Sequence, residues 1–370
     1  MRSGAVRLIH SQAPLRINDI GGWTDTWFSG EGNVLNLAVG PPVEVQILAV
    51  ADSCRRKDRV VVRAENYGQT FRFDPDRPSR RKHPLLQVAI AGVSWPRKYS
   101  LDIRVYSPVP AGLATGTSAS VSVALLAGLS LLAGLSLDPG RIAQLAHAVE
   151  TRDLGLQSGI QDQISAAYGG VCFIRMIRYP QARVTKLALR SEVLDELNRR
   201  LVLVDLAQPH RSSDIHQRVI TRLREGGVRS NPLERMKGLA GEARASLKRG
   251  DLESYGHIMS ENNECQRALD QRLISPQADE VIRLARNRRA AGWKVNGAGG
   301  RGGSLTVLAS ADDGLRRALV RDILAMGKSV RPLPFYLSSS GLAAWEAGPW
   351  AGQSRILSHK GFLPSAVYNK

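Results

Sequence analysis

Four stretches of this chain concentrate residue types that can do chemistry. In PAGLATGTSAS (110–120), Gly112 and Gly116 let the backbone approach a ligand closely, and Thr117, Ser118 and Ser120 add hydroxyls where an apolar helix begins. Main-chain N–H groups and the positive end of that helix make an anion site. No GK(S/T) follows, so this is not a Walker loop, and a turn with a Ser/Thr helix cap is the plainer alternative. In KVNGAGGRGG (294–303), five glycines fall in the seven residues 297–303, ahead of a strand. Such a run implies close backbone packing or ligand approach, with a flexible hairpin as the alternative. In ETRDLGLQSGIQDQISAAYGG (150–170), Asp162 opens a helix after Ser158 and Gly159. It can be a capping charge or a general base toward a hydroxyl. Glu150 ends the preceding helix, a poor place for a carboxylate unless a cation lies near or solvent covers it. In APLRINDIGGWTDT (13–26), Asp19 and Asp25 can accept hydrogen bonds from sugar hydroxyls and Trp23 offers an apolar face; as isolated residues they read as a turn.

The elements around these stretches alternate between strand and helix. Residues 43–50, 59–63, 70–73 and 101–107 read as strands, and 83–93 as a helix after a proline start. The uncharged run 119–137 is long enough to suggest a membrane span, since roughly 18 such residues suffice. Its serines and glycines, and the new helix signalled by Asp138 and Pro139, favour a helix buried in a soluble domain. Helices are also expected at 139–151 and 161–168, then strands at 171–177 and 201–206. Residues 214–289 read as charged helices, followed by a strand at 304–309, a helix at 313–327 and a strand region at 330–337. This is an α+β pattern, with units expected at 1–185 and 186–348 and a peripheral tail at 349–370.

Composition sets outer limits. The 370 residues are 43% hydrophobic and 23% charged, which excludes a disordered or fibrous chain. Lys and Arg number 51 against 33 Asp and Glu, a net charge of +18 that suits an anionic ligand, nucleic acid or an acidic surface. Only 5% of residues are aromatic and no nucleic-acid reading motif is present, which weighs against a nucleic-acid-binding protein. Three cysteines, Cys54, Cys172 and Cys265, lie far apart without metal-ligand spacing. With no secretory leader at the N-terminus and no membrane partner, a reduced cytoplasmic protein is expected.

In this order the four stretches resemble the GHMP kinases (galacto-, homoserine, mevalonate and phosphomevalonate kinases), and the likeness runs from Ser11 to Trp345. It is strongest to the sugar 1-kinase branch of heptose 7-phosphate kinases and fucokinases. That branch opens like GGW(S/T)DT and GG-VLN, against GGWTDT and GNVLNLAV here. Its base-bearing loop reads like GKQDQ, against Gly159-Ile-Gln-Asp-Gln163, and its last motif, GAGGGG, against GAGGRGG. The stretches PHRSSDI (209–215) and SENN (260–263) are also similar. Three departures stand out: GLATGTSAS in place of GSGLGSSSS, Arg301 inside the final glycine run, and GPPVEV (40–45) where a less proline-rich strand is usual.

The resemblance implies a two-domain α+β fold: an N-terminal domain with a left-handed βαβ crossover, an exception to the usual right-handed rule, and a ferredoxin-like C-terminal domain. It implies an active site between the halves. ATP phosphates would lie on Gly112, Ala114, Thr115, Gly116, Thr117, Ser118 and Ala119, and Ser118 and Glu150 would reach Mg²⁺. Asp162 would accept the proton of a sugar hydroxyl, with Arg16 holding it ionised. Thr24, Asp25, Gly159, Gly299 and Gly300 would bind substrate. The expected activity is ATP-dependent transfer of the γ-phosphoryl group to a hydroxyl, the anomeric one first, of a monosaccharide or a sugar phosphate such as a heptose 7-phosphate. Fucokinase-type or mevalonate-type kinases and a non-catalytic sugar sensor are the alternatives, and the basic excess mildly favours a phosphorylated substrate.

Overall fold

The computed structural model describes residues 6–51, 58–65, 68–79, 81–110, 112–206, 219–221, 231–300, 302–327 and 330–347. Residues 209–215, Arg301 and the tail expected at 349–370 lie essentially outside the described residues. Two long strands, β1 (Val6–Ile20) and β2 (Gly32–Ala51), pair antiparallel from Val6 opposite Val50 to Ile20 opposite Leu35. β1 has no counterpart among the expected strands, and β2 begins well before the strand expected at 43–50. The reason is burial on both faces: from Ala13 to Ile20 of β1 every residue is buried, so the alternation that signals a half-exposed strand is missing.

Next come β3 (Val60–Ala64), β4 (Gln69–Phe73), α1 (Pro84–Ala91) and β5 (Tyr99–Tyr106). β3 lies parallel to β5 and antiparallel to β4. α2 (Thr117–Leu132) packs on β1 and β2 and is buried on nearly every side, which is why it carries no charge. One of its buried serines is tied to β1: Ser120 Oγ donates to the carbonyl of Pro14, 2.7 Å away. Among the described residues no helix is long and apolar enough to cross a membrane. α3 (Pro139–Ala148) ends in a π-helical turn, Val149–Asp153, and α4 (Gln161–Tyr168) leads into β6 (Val171–Arg178) and β7 (Gln181–Lys186).

After α5 (Ser191–Arg200), β8 (Leu201–Asp205) opens a second sheet. α6 (Asn231–Arg249), α7 (Leu252–Leu269) and α8 (Pro276–Asn287) follow, then β9 (Gly292–Val295), β10 (Ser304–Leu308), α9 (Asp313–Ala325) and β11 (Arg331–Leu333). The order across this antiparallel sheet is β11-β8-β10-β9, which in chain order is 4-1-3-2, the ferredoxin-like arrangement. Val204, Val281, Ile282, Leu319 and Ile323 form its own core. Two short strands from the segment expected to belong to the second unit, β12 (Tyr336–Leu337) and β13 (Ala343–Glu346), pair with β2 and β1 of the first sheet. The fold is α+β, with two sheets and a cavity at their junction.

Candidate active site

The loop after β5 turns into α2 through three left-handed residues, Gly112 (φ 83°), Ala114 (φ 57°) and Gly116 (φ 69°). At Gly116 the left-handed φ favours glycine and the space beside it is tight. A Cβ there would stand 3.2 Å from Arg16 Cγ and 3.4 Å from the Asp162 carboxyl carbon. The loop thus runs alongside both residues and delivers the first amides of α2, which have no partner within the helix, to a cavity of about 620 Å³. Gly112, Ala114, Gly116, Thr117 and Ser118 line that cavity. Thr115 and Ala119 are buried and do not: the Thr115 carbonyl accepts from the Arg16 amide at 3.0 Å, and Ala119 faces the protein core.

Arg16, on β1, reaches Asp162 at the start of α4 with two parallel hydrogen bonds, Nε to Oδ1 at 2.7 Å and Nη2 to Oδ2 at 3.0 Å. Its remaining nitrogen donates to the carbonyl of Ala114. Burial works against charge on Arg16, yet Asp162 and then Asp19 outweigh it and raise its pKa. The Arg16 side chain is 5% exposed and that of Asp162 26%, so the guanidinium is fixed from behind while the carboxylate opens to the cavity. A bidentate pair of this kind sets direction as well as charge.

Glu150 lies in the π-helical turn, which points it inward; such turns recur at functional sites. Gln163 Nε2 donates to its Oε2 at 3.0 Å, and Ser118 and Ser158 also reach it. Burial, reinforced by the nearby Asp162, pushes its carboxyl up to about 7 despite those three donors. Ser118 and Glu150 are thus a hard oxygen pair at one cavity wall, with a buried carboxylate that has no ion-pair partner among the described residues. They fit Mg²⁺ that takes its other ligands from phosphate and water. Among the described residues no cluster of three or more His, Cys, Asp or Glu forms a metal cage.

Asp25 is 2% exposed, lines the cavity and accepts from the Gln161 amide at 3.0 Å. Burial pushes it up to about 6, opposed by the Gln161 hydrogen bond and aided by Asp162. Gly159 is packed against it: a Cβ there would stand 2.0 Å from Asp25 Oδ2. The Ser158 carbonyl is anchored by Tyr179, whose hydroxyl donates to it at 2.8 Å and lies 2.9 Å from His147 Nε2. Thr24 sits elsewhere than the expected substrate contact. Its hydroxyl is turned into the backbone, 2.7 Å from the Gly21 carbonyl and 3.0 Å from that of Asn33.

The second glycine run divides. Gly297 and Ala298 line the cavity, but Gly299 and Gly300 do not. The Gly300 amide donates to the Leu273 carbonyl at 2.8 Å, and a Cβ on Gly299 would stand 2.3 Å from that same oxygen. Asp19, read from sequence as a hydroxyl acceptor, is taken up by protein donors: Lys294 Nζ and the Gly297 amide, both at 3.0 Å. The sequence reading passed over Lys294 and Gln161 as site residues. The available signals were a lysine between Trp293 and Val295 in a buried strand, and a glutamine adjoining Asp162. Asn262 and Asn263, in the SENN stretch, accept from the amides of Gly21 and Val295 and so join α7 to both sheets.

At its other end the cavity is apolar, walled by Leu85, Leu86, Val105 and Val109 with His83 beside them. One space therefore offers an apolar slot, a bed of helix-terminal amides, a hard-cation wall and a carboxylate fixed by arginine.

Comparison with known proteins agrees with that chemistry. Residues 86–170 match the GHMP kinases N terminal domain. A bifunctional fucokinase/GDP-fucose pyrophosphorylase of Arabidopsis thaliana is 26% identical over 81% of this chain, which spans 30% of that protein's length. A mevalonate kinase of Methanothermobacter thermautotrophicus is 30% identical, covering 61% of this chain and 70% of its own. The crystal structure of a D-glycero-D-manno-heptose 1-phosphate kinase from Bacteroides thetaiotaomicron superposes with a TM-score of 0.70 at 21% identity, over 91% of this chain and 98% of that one, and so shares the fold. By sequence kinship, shared architecture and the ordered motifs, this chain belongs to the GHMP kinases.

Proposed function

We propose that the protein is an ATP-dependent sugar kinase that transfers the γ-phosphoryl group to a hydroxyl of a monosaccharide or sugar phosphate, the anomeric hydroxyl first. The observation that carries this reading is the Arg16–Asp162 pair opening onto the same cavity as Ser118, Glu150 and the Gly112–Gly116 loop. Phosphoryl transfer asks little covalent chemistry of a protein; positioning and charge do most of the work. The apolar slot suits a nucleobase, and the α2 amides suit phosphate oxygens. Mg²⁺ held by Ser118 and Glu150 would offset phosphate charge. Asp162 accepts the proton of the acceptor hydroxyl while Arg16 keeps its carboxylate aimed. Asp25, and Trp23 at the same wall, would hold the sugar ring. The anomeric hydroxyl is the most acidic of a sugar, which suits a carboxylate base.

The test is sugar-dependent ADP release, screened over free sugars, sugar phosphates including a heptose 7-phosphate, and mevalonate. We expect turnover with one sugar class and a loss of about a thousandfold in Asp162→Asn. Unchanged turnover in that variant would remove the assigned base. Turnover of mevalonate alone would move the acceptor to an acyclic alcohol.

A further inference from the structure

Lys294 comes from β9 of the second sheet, and its side chain is 1% exposed. An ammonium buried so fully needs a counter-charge. It meets Asp19 Oδ1 at 3.0 Å and donates also to the Val295 carbonyl at 2.8 Å. Asp19, on β1, is equally buried and serves more than this partner. Its Oδ1 accepts from the Gly297 amide at 3.0 Å and its Oδ2 from Gln161 Nε2 at 3.3 Å. Gln161 immediately precedes Asp162, and its own amide is held by Asp25. One carboxylate is therefore gripped from β9, from the glycine loop and from the first turn of α4. Burial alone would raise the Asp19 carboxyl, but the Lys294 ammonium, then Arg16 and the Gly297 amide, hold it below its usual range.

Mere cohesion between the sheets does not call for such a pair, because an apolar pair of equal volume is often at least as stable. Other buried contacts already join the halves. The Asn18 amide donates to Asn296 Oδ1 at 2.8 Å, and Ser304 Oγ donates to the Leu113 carbonyl at 2.7 Å. What the ion pair adds is direction at the cavity wall, which Asp19 lines together with Arg16, Gln161 and Gly297.

We propose that Asp19 and Lys294 are positioning residues through which the second sheet sets the placement of the Asp162-bearing helix and of the Gly297 wall. This rests on the kinase reading for its kinetic consequence but not for its structural one. The test uses Lys294→Met, and the double variant Asp19→Leu/Lys294→Met, which buries no unpaired charge. The double variant leaves the Gly297 amide and Gln161 Nε2 without their acceptor, so we expect it to fold but to melt several degrees below the parent. We expect its kcat to fall about a hundredfold with KM for ATP and sugar changed by less than about threefold, the mark of lost alignment. In Lys294→Met, whose one lost hydrogen bond to either segment is that to the Val295 carbonyl, amide hydrogen exchange should rise in both 158–165 and 296–300.

Full turnover in the double variant, or unchanged exchange at 158–165 in Lys294→Met, would overturn the proposal. If Lys294→Met does not fold, the kcat of the double variant decides instead. If the parent protein releases no ADP with any acceptor, the kinase reading falls while the exchange result still decides the pair.

Discussion

On the cavity wall built from β1, β9 and the start of α4, each carboxylate meets a cation: Asp19 meets Lys294 at 3.0 Å and Asp162 meets Arg16 at 2.7 Å. On the wall formed by the 23–26 turn and the π-helical turn, Asp25 and Glu150 are held by amide and hydroxyl donors instead. Asp19, Asp25 and Glu150 are all buried, and the consequences diverge. Lys294 and Arg16 keep Asp19 low, whereas Asp25 is pushed up to about 6 and Glu150 to about 7. The paired wall carries fixed geometry. The other wall carries charge that is costly until a cation or a donor-rich ligand arrives.

Removing a cation from the paired wall should therefore have the largest effect. Arg16→Met would leave Asp162 and Asp19 facing each other across an apolar side chain, and breaking a buried pair from one side costs about 3–5 kcal/mol. Denaturant unfolding at neutral pH would show that loss. A change below about 1 kcal/mol would mean that the wall is solvated enough for the pair to be dispensable.

Removing a carboxylate from the other wall should act in the opposite direction. The Asp25 carboxyl rises from 3.8 to about 6 on folding, so its contribution is complete below about 4 and is lost as pH rises through 6. Asp25→Asn keeps an acceptor for the Gln161 amide and removes the charge. It should flatten the stability profile between pH 4 and 6 and raise stability at pH 8 by about 2–3 kcal/mol. A destabilised Asp25→Asn at pH 8 would erase the distinction between the walls.

The sequence made some of this legible and hid the rest for identifiable reasons. Both glycine runs announce close backbone approach, but composition cannot say what approaches. At Gly116 it is the cavity and its charged pair; at Gly299 it is the Leu273 carbonyl, so half of the second motif is packing. Thr24 and Asp25 are neighbours in a polar turn, and only the fold directs one into its own backbone and the other into the cavity. Asp162, Arg16, Glu150 and Ser118 were singled out together only through the ordered motifs and the resemblance they carry, since each alone also reads as a cap, a turn or a solvated helix end. Lys294 was not, because its partner lies 275 positions away. The long β1 was missed for want of alternation, its inner half being covered on both faces. The two glycines can be set against each other directly. Gly299→Ala, strained at φ 71° and meeting a backbone oxygen, should cost about 2 kcal/mol in unfolding free energy. Gly116→Ala, meeting side-chain atoms that can shift, should cost nearer 1 kcal/mol and act chiefly on nucleotide affinity. Equal losses of stability with equal affinities would make both loops structural.

The smallest effect concerns the cation proposed at Ser118 and Glu150. Glu150 should bind Mg²⁺ only with the nucleotide present, since the protein offers two ligands and the ion prefers six. A non-hydrolysable ATP analogue should therefore raise the melting temperature more with Mg²⁺ than without it. The increment corresponds to about 1–2 kcal/mol at saturating ligand. Burial pushes the metal-free Glu150 carboxyl up to about 7, so protons compete, and the increment should shrink as pH falls through 7. Glu150→Gln removes the anion and the titration together. It should leave the metal-free shift intact, abolish the Mg²⁺ increment and make the remaining response flat between pH 6 and 8. A Mg²⁺ increment that survives in Glu150→Gln would place the ion away from the π-helical turn and leave Glu150 as a buried acid held by Gln163, Ser118 and Ser158 alone.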